Sequence, residues 1–284
     1  MEKFDLRLLL DSIQRFGITF LFLVPPVAVM LTKTPNLSEH DISSVKYLLC
    51  GAAPLSPETS AKIEEIFSIN KARCRQGWGM TEATMAVTLF APDEFDPSHR
   101  GVGYITPNMQ IKVVKDNGEE AGYDEEGEAL IRGPNIFKGY YRNEVATHDA
   151  WTDDGWLKTG DIVTIQPDGL VSIVDRKKEL IKVNGFQVAP SEIEGCLLEC
   201  PGVQDCAVIR VERNGGEHPQ AHIVRSGDDV TAESILAFME KRLSSHKRLS
   251  GGVVFTDTIP KSPSGKIIRR MLKDQHDKQR AAHL

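Results

Sequence analysis

Between Leu6 and Gly79, apolar strand-like runs alternate with helical segments, and this alternation restricts the fold more than any other feature of the chain. Leu6, Leu9, Leu10, Ile13 and Phe16 recur at a helical period, and Gly17 stops that helix. Residues 18–24 read as a buried strand, Pro25-Pro26 opens a second helix, and residues 45–50 read as a strand. Ser56-Pro57-Glu58 starts a capped helix to Phe67, and residues 74–79 are strand-like again. Such a pattern predicts a parallel sheet covered on both faces. From Val87 the pattern changes to short strands at 113–115, 128–132 and 162–165, divided by Gly, Asp and Asn turns. That spacing predicts a small barrel or sandwich. After Lys178 helix and strand alternate once more: a helix at 191–198, strands at 207–211 and 220–224, a helix at 232–243 and a strand at 253–256. This last part, ~100 residues, is long enough for an α+β domain of its own.

Composition narrows the function classes. With 40% apolar and 26% charged residues the chain has the balance of an ordinary globular protein. Its net charge of -6 and the lack of a basic stripe argue against nucleic acid as a partner. The most apolar run, 18–31, is too short to span a membrane and holds Pro25-Pro26 in its middle. MEKFDLRLLL carries acids where a secretory signal needs bases, which predicts an intracellular protein. Five cysteines, an odd number, fit a reducing compartment. Cys196, Cys200 and Cys206 lack the spacing or histidines of a metal site and read as buried thiols.

Five motifs carry chemistry. Gly51-Ala52-Ala53-Pro54-Leu55 follows a strand, where small residues let the backbone approach a flat ligand. In Gln76-Gly77-Trp78-Gly79-Met80-Thr81-Glu82, two glycines flank an aromatic able to stack on a base. A hydroxyl and a carboxylate suited to phosphate and Mg²⁺ follow, and a helix starting near Thr81 would add its N-terminal dipole. Thr159-Gly160-Asp161 offers a carboxylate on a tight turn, and the neighbouring run Asp175-Arg176-Lys177-Lys178-Glu179 reads as a solvated connector. A hairpin-like pair of strands around Pro167-Asp168-Gly169 lies between these two. Lys182-Val183-Asn184-Gly185-Phe186-Gln187 and Pro260-Lys261-Ser262-Pro263-Ser264-Gly265-Lys266 each place a lysine on a small-residue loop, free to neutralise charge on a phosphate.

Taken together and in order, QGWGMTE, GEALIRGPNIFKGYY, WLKTGD, DRKKELIKVNGFQVAPSEIE and PKSPSGKI resemble the adenylate-forming superfamily. That group includes acyl- and aryl-CoA ligases, 4-coumarate-CoA ligase, luciferase and peptide-synthetase adenylation domains. The fourth and fifth motifs look closest to the 4-coumarate-CoA ligase-like branch, and essentially the whole chain is covered. The resemblance implies an α/β fold. Residues 1–177 would form the C-terminal part of an AMP-binding domain, about 1–86 layered α/β and 87–177 a small β-barrel subdomain. Residues 178–284 would form a mobile α+β domain. It further implies that Gly51, Ala52, Ala53, Gln76, Gly77 and Trp78 surround adenine and that Thr81 contacts the α-phosphate of ATP. Glu82 would hold Mg²⁺, Asp161 and Arg176 the ribose, and Met85 and Ala86 would form part of the acyl pocket wall. Lys178 would be the hinge. Lys266 would bridge carboxylate and α-phosphate, while Lys182 and Gln187, with Asn184 and Gly185 beside the CoA thiol, would serve the second step.

Members of the family carry, before the region that this sequence matches, a Ser/Thr/Gly-rich loop for the outer phosphates, and no such loop occurs here. The resemblance therefore leaves three expectations open: an ATP-dependent acid-CoA ligase, a non-catalytic remnant that binds AMP, acyl-adenylate or an N-terminal partner chain, and an adenylation domain that loads a carrier protein. Ala282-His283-Leu284 resembles a C-terminal peroxisomal address, on a polar tail expected to be flexible.

Overall fold

Asp5 caps α1 (Leu6–Phe16) by accepting a hydrogen bond from the Leu8 amide at 2.8 Å, and Gly17 closes it in the left-handed conformation at φ 59°. The structure, a computed structural model, describes residues 4–35, 37–91, 101–213, 215–227 and 229–282. It divides into one unit of Met1–Thr159 with Thr164–Ile173 and a second of Gly160–Val163 with Val174–Leu284.

In the first unit, β1 (Phe20–Leu23), β2 (Tyr47–Cys50) and β3 (Cys74–Gln76) form a parallel sheet in that order. Two crossover helices lie between them in sequence. The first, α2 (Pro25–Thr32), starts on its proline pair, and α3 (Pro57–Ile66) is capped by Ser56, which accepts from the Thr59 amide. Leu21, Leu23, Leu48 and Cys50 point to one face, where they pack with Leu10, Ile13, Ala28, Leu31 and Ile63 in a single core. Each fully buried Leu or Ile there contributes about 2 kcal/mol. The other face differs from the sequence expectation. Phe20 and Phe22 are 41% and 59% exposed, and with Tyr47, Leu49, Arg75, Leu89 and Phe90 they line a groove of about 640 Å³. Among the described residues the helices cover this sheet on one side.

The strands then shorten. β4 (Trp78–Met80), β5 (Met85–Leu89) and β6 (Tyr104–Ile105) make an antiparallel sheet in that order. β7 (Gln110–Val114), β8 (Gly127–Arg132), β9 (Leu157–Ile165) and β10 (Val171–Arg176) make a four-stranded sheet in the order β10-β9-β8-β7. Its strands do not close into a ring, so the expected barrel is open among the described residues. The seven-residue α4 (Glu144–Ala150), capped by Asn143, lies between β8 and β9 in sequence. β9 and β10 form the expected hairpin, and both contribute residues to the second unit.

The second unit is built on the long hairpin β13 (Val203–Arg213) and β14 (Gly216–Arg225), with β15 (Gly252–Phe255) parallel to β14. It also contains β11 (Ile181–Val183), β12 (Phe186–Val188), α5 (Pro190–Leu198), α6 (Ala232–Glu240) and α7 (Arg269–Ala282). Cys206 and Val208 on β13 pack with Ile193 and Leu197 of α5 and Ile235 of α6. Ala207, Ile209 and Val211 pack instead with Ile259 and with Leu272 of α7. Burial on both faces explains the unbroken apolar run of β13. It also corrects the reading of the tail: residues through Ala282 are helical, held by Leu272, which is 1% exposed. His283 and Leu284, the end of the expected address, lie outside the described residues. No helix among the described residues is long and apolar enough to cross a membrane.

Candidate functional site

Gly51 leaves the C-terminal end of β2, and Gly77 leaves that of β3. The Gly51 amide donates to Leu23 O at 3.1 Å and the Gly77 amide to Cys50 O at 3.3 Å. The side-chain oxygen of Gln76 accepts from the Leu55 amide at 2.9 Å, which ties the 51–55 turn to the end of β3. A side chain on Gly77 would bring its Cβ within 2.9 Å of Leu89, and one on Gly51 within 3.9 Å of the Gly77 carbonyl. Ala52 adopts a left-handed φ of 72°. The first two motifs therefore meet at the carboxyl edge of the parallel sheet, where open α/β sheets take ligands. Trp78 is 8% exposed, so its ring belongs to the interior and does not form an open platform.

The expected helix at Thr81 is absent. Thr81–Ala83 makes one 3₁₀ turn, after which Thr84 (φ 49°) and Met85 (φ 94°) reverse the chain into β5. One short turn brings no useful helix dipole, so the expected phosphate contact at Thr81 would rest on individual groups. Gly79 stands opposite Ala86, and a Cβ on it would sit 1.8 Å from the Met85 carbonyl oxygen. This turn is braced by a segment for which the sequence suggests no individual role. Asn135 donates to Ala83 O at 2.8 Å and accepts on its own carbonyl from Thr84 Oγ1 at 2.7 Å, and the Phe137 amide donates to Glu82 O at 2.7 Å. Tyr140 donates its hydroxyl to Glu82 Oε1 at 2.8 Å, and the carboxylate holds the phenol above its ordinary range. Glu82 is thereby oriented. Met85 is 62% exposed and Ala86 is half-buried. The repeated aromatic in Gly139-Tyr140-Tyr141 was the available signal, but nothing in spacing alone pairs it with Glu82.

In the second unit Asp161 lies within β9, not on a tight turn; Gly160 at φ 68° supplies a local irregularity. The Asp161 side chain is 4% exposed and takes Arg176 Nε on Oδ1 at 2.7 Å. Both residues expected at a ribose are thus brought together, an arginine side chain 40% exposed on a buried carboxylate. Asp175 also departs from the solvated-connector expectation. It is 8% exposed and accepts from the amides of Arg176 at 2.7 Å and Ser191 at 2.9 Å, so it holds the first turn of α5 against the end of β10. Lys177 and Lys178 are exposed in the turn that follows.

Lys182 and Gln187 do not sit on an irregular loop. They are direct partners across the β11–β12 hairpin, both exposed, while Ile181, Val183 and Val188 turn inward. Asn184 (φ 50°) and Gly185 (φ 86°) form its two-residue turn, the Asn-Gly combination that favours such hairpins. The Lys182 amide donates to Glu217 Oε2 at 2.7 Å, which fixes the hairpin beside the turn end of β13–β14. Lys266 is exposed on a second small hairpin, in which Lys261 and Ile267 bridge and the Lys266 amide donates to Ser262 Oγ at 3.1 Å. That hairpin is fixed at the other end of β13 by Lys261, whose ammonium meets both oxygens of Asp205 at 2.8 and 2.6 Å. Glu217 pairs with Glu212, seven residues along β13 from Asp205, or about 24 Å at ~3.4 Å per residue.

All five cysteines are free thiols; Cys50, Cys74, Cys200 and Cys206 are buried, whereas Cys196, expected to be buried, is only partly so. Burial pushes the Cys50 thiol up to about 12 and that of Cys74 to about 11, and it raises Cys206 as well. No cluster of three metal-ligating side chains occurs among the described residues.

Known proteins resemble this chain along most of its length. The family profile described as "AMP-binding enzyme" matches residues 1–141, and "AMP-binding enzyme C-terminal domain" matches residues 192–266. The chain is 40% identical over 278 residues to a 4-coumarate--CoA ligase-like protein of Arabidopsis thaliana, covering 96% of this chain and 48% of that protein. It is 40% identical over 280 residues to a 4-coumarate--CoA ligase of Pinus taeda, covering 97% of this chain and 51% of the relative. Among solved structures, ATP-bound MatB from Rhodopseudomonas palustris superposes with a TM-score of 0.88 at 30% identity, over 97% of this chain and 54% of that one. The chain spans about half the length of the curated relatives it matches.

Proposed function

The chain belongs to the AMP-binding enzyme family, the adenylate-forming superfamily, and from that premise we propose that it supplies the later half of an ATP-dependent carboxylic acid-CoA ligase. In such a reaction a carboxylate oxygen attacks the α-phosphorus of ATP and pyrophosphate leaves. A CoA thiol then attacks the carbonyl of the acyl-adenylate and AMP leaves. The relatives' names favour an acyl or aryl acid.

The observation that carries this reading is the placement of two lysine-bearing hairpins at opposite ends of β13. A lysine side chain reaches about 6 Å, less than the ~14 to ~24 Å along β13 that separates Glu212, opposite Glu217, from the two anchors of the Lys266 hairpin, Val208 and Asp205. Lys266 and the Lys182–Gln187 face therefore cannot serve one reacting carbonyl at the same time. We assign Lys266 to adenylation and Lys182, Gln187, Asn184 and Gly185 to thioester formation, with a turn of the domain at residues 178–284 about Lys178 between the steps. Gly51, Ala52, Ala53, Gln76, Gly77 and Trp78 take the adenine, through backbone at Trp78 because its ring is buried. Thr81 takes the α-phosphate, and Asp161 with Arg176 takes the ribose. Met85 and Ala86 face the acyl group. Mg²⁺ is commonly held by one or two carboxylates together with substrate phosphates, and Glu82, oriented by Tyr140, fits that need. When bound, the ion would neutralise phosphate charge.

The test is incubation of the purified chain with ATP, Mg²⁺, CoA and a panel of fatty and aryl acids, alone and with the preceding half of a full-length relative. Thioester formation in either case supports the ligase reading. Loss of adenylation in Lys266→Ala, with thioester formation from supplied acyl-adenylate retained, would support the division of labour; Lys182→Ala should do the reverse. Binding of AMP without turnover in both arms would favour a remnant instead. We further propose peroxisomal import through Ala282-His283-Leu284 and its receptor; a fluorescent fusion with a free C-terminus that stays cytosolic defeats it.

A further inference from the structure

Lys266 stands on a span too short to hold its own shape, since an isolated two-stranded hairpin is marginal in water. Its internal backbone bonds are few, Ser262 N to Lys266 O at 2.8 Å, Gly265 N to Ser262 O at 2.9 Å and Ile268 N to Pro260 O at 2.8 Å, and two more run through the Ser262 hydroxyl, from the Lys266 amide at 3.1 Å and with Ser264 at 2.9 Å. Both flanks, however, are gripped by charge. On the near side Lys261 meets both oxygens of Asp205, whose Oδ1 also accepts from the Cys206 amide at 3.0 Å. On the far side Arg269 Nη2 meets both oxygens of Glu194 at 2.7 and 2.8 Å, and its Nε donates to Val208 O at 3.1 Å. Glu194 in turn accepts from the Val208 amide at 2.7 Å. The loop is thus fixed at two points to β13 and at one to α5.

Stability alone does not account for these pairs. Ile259, Ile267 and Leu272 already bind the flanks to an apolar core; a largely buried pair such as Glu194–Arg269 is often no more stabilising than apolar residues of the same volume, and a partly exposed one such as Asp205–Lys261 contributes little. Directional grip is what an apolar contact lacks. Building on the proposed role of Lys266, we propose that Asp205–Lys261 and Glu194–Arg269 are positioning residues that aim the Lys266 loop for the adenylation step. Arg269 is the sharper probe, because lysine there keeps the charge and loses the fork.

The experiment, run at pH 8 where Glu194 is ionised, compares the full chain with Arg269→Lys, Asp205→Ala and the charge swap Asp205→Lys with Lys261→Asp. Deuterium exchange of the peptide covering 261–268 should become about tenfold faster in the first two, as expected for loss of a charge-assisted hydrogen bond, and return toward the parent rate in the swap. Peptides from β13 and β14 should exchange as before. In pyrophosphate exchange, kcat should fall by about tenfold or more with the KM for ATP little changed, the mark of misplacement. Unchanged exchange at 261–268, or equal loosening of β13 and β14, overturns the proposal in favour of a fold-stabilising role. If exchange behaves as expected but the parent shows no pyrophosphate exchange with or without its complementing half, the clamp stands and the ligase reading fails.

Discussion

Glu194 offers the most quantitative test of how this fold handles charge. Its side chain is 11% exposed, and burial, acting against Arg269 and the Val208 amide, raises its carboxyl from an ordinary 4.5 to about 7. The folded state then holds a proton that the unfolded chain has released between those two values. Stability from this site is therefore complete below pH 4.5, falls as pH rises, and is gone above about pH 7. At ~1.4 kcal/mol per pH unit, the full change is about 3 kcal/mol. Glu194→Gln keeps the shape and cannot ionise, so the difference in unfolding free energy between parent and variant isolates the site. That difference should shrink by about 3 kcal/mol in favour of the variant between pH 4.5 and pH 8. Urea titrations at several pH values, with the folded fraction read by a short deuterium pulse on β13 and β14 peptides, report on the right unit. A difference that stays flat would refute the argument. One that widens only as pH rises toward 4.5 and then levels off would show more: Arg269 would then outweigh burial and hold the carboxyl below 4.5.

Three further outcomes follow from local geometry. Gly79→Ala places a Cβ on the Met85 carbonyl and should cost about 2 kcal/mol in urea denaturation of the first unit, as overpacking does; a cost under 0.5 kcal/mol would mean that the turn before β5 is pliant. Gly185→Ala forces a side chain to φ 86° with open space around it, so its cost of about 1 kcal/mol is purely backbone and should appear as faster exchange in β11 and β12. Phe22→Ser, on the bare face of the parallel sheet, should leave stability within about 0.5 kcal/mol while lowering the binding of a hydrophobic dye. Unchanged dye binding would place the sticky surface elsewhere.

The elements legible in the sequence are those whose signals are local. Asp5 and Gly17 bracket α1, Ser56 caps α3, and the alternation through Gln76 gives the parallel sheet, because caps and periodicity act over a few residues. Asn184-Gly185 is equally local, a strong hairpin signal that turns the segment expected to be a loop into β11–β12. The remaining differences have a common cause. Asp175 looks like part of a solvated run until Ser191, 16 residues on, supplies the amide that makes its burial affordable. Asp161 looks like a turn residue until Arg176 lies beside it, and the tail looks free until Leu272 finds β13. In each case a charged or polar segment is drawn inward by a partner remote in sequence, and composition carries no trace of that partner. The same holds at the candidate site, where Tyr140 orients Glu82 from 58 residues away. Motifs therefore name the groups proposed to meet the ligand, while the groups that brace them, Asn135, Tyr140, Glu194 and Arg269, emerge only from the fold. Substitution of the second set should accordingly change rates and exchange behaviour without removing any atom that the chemistry uses.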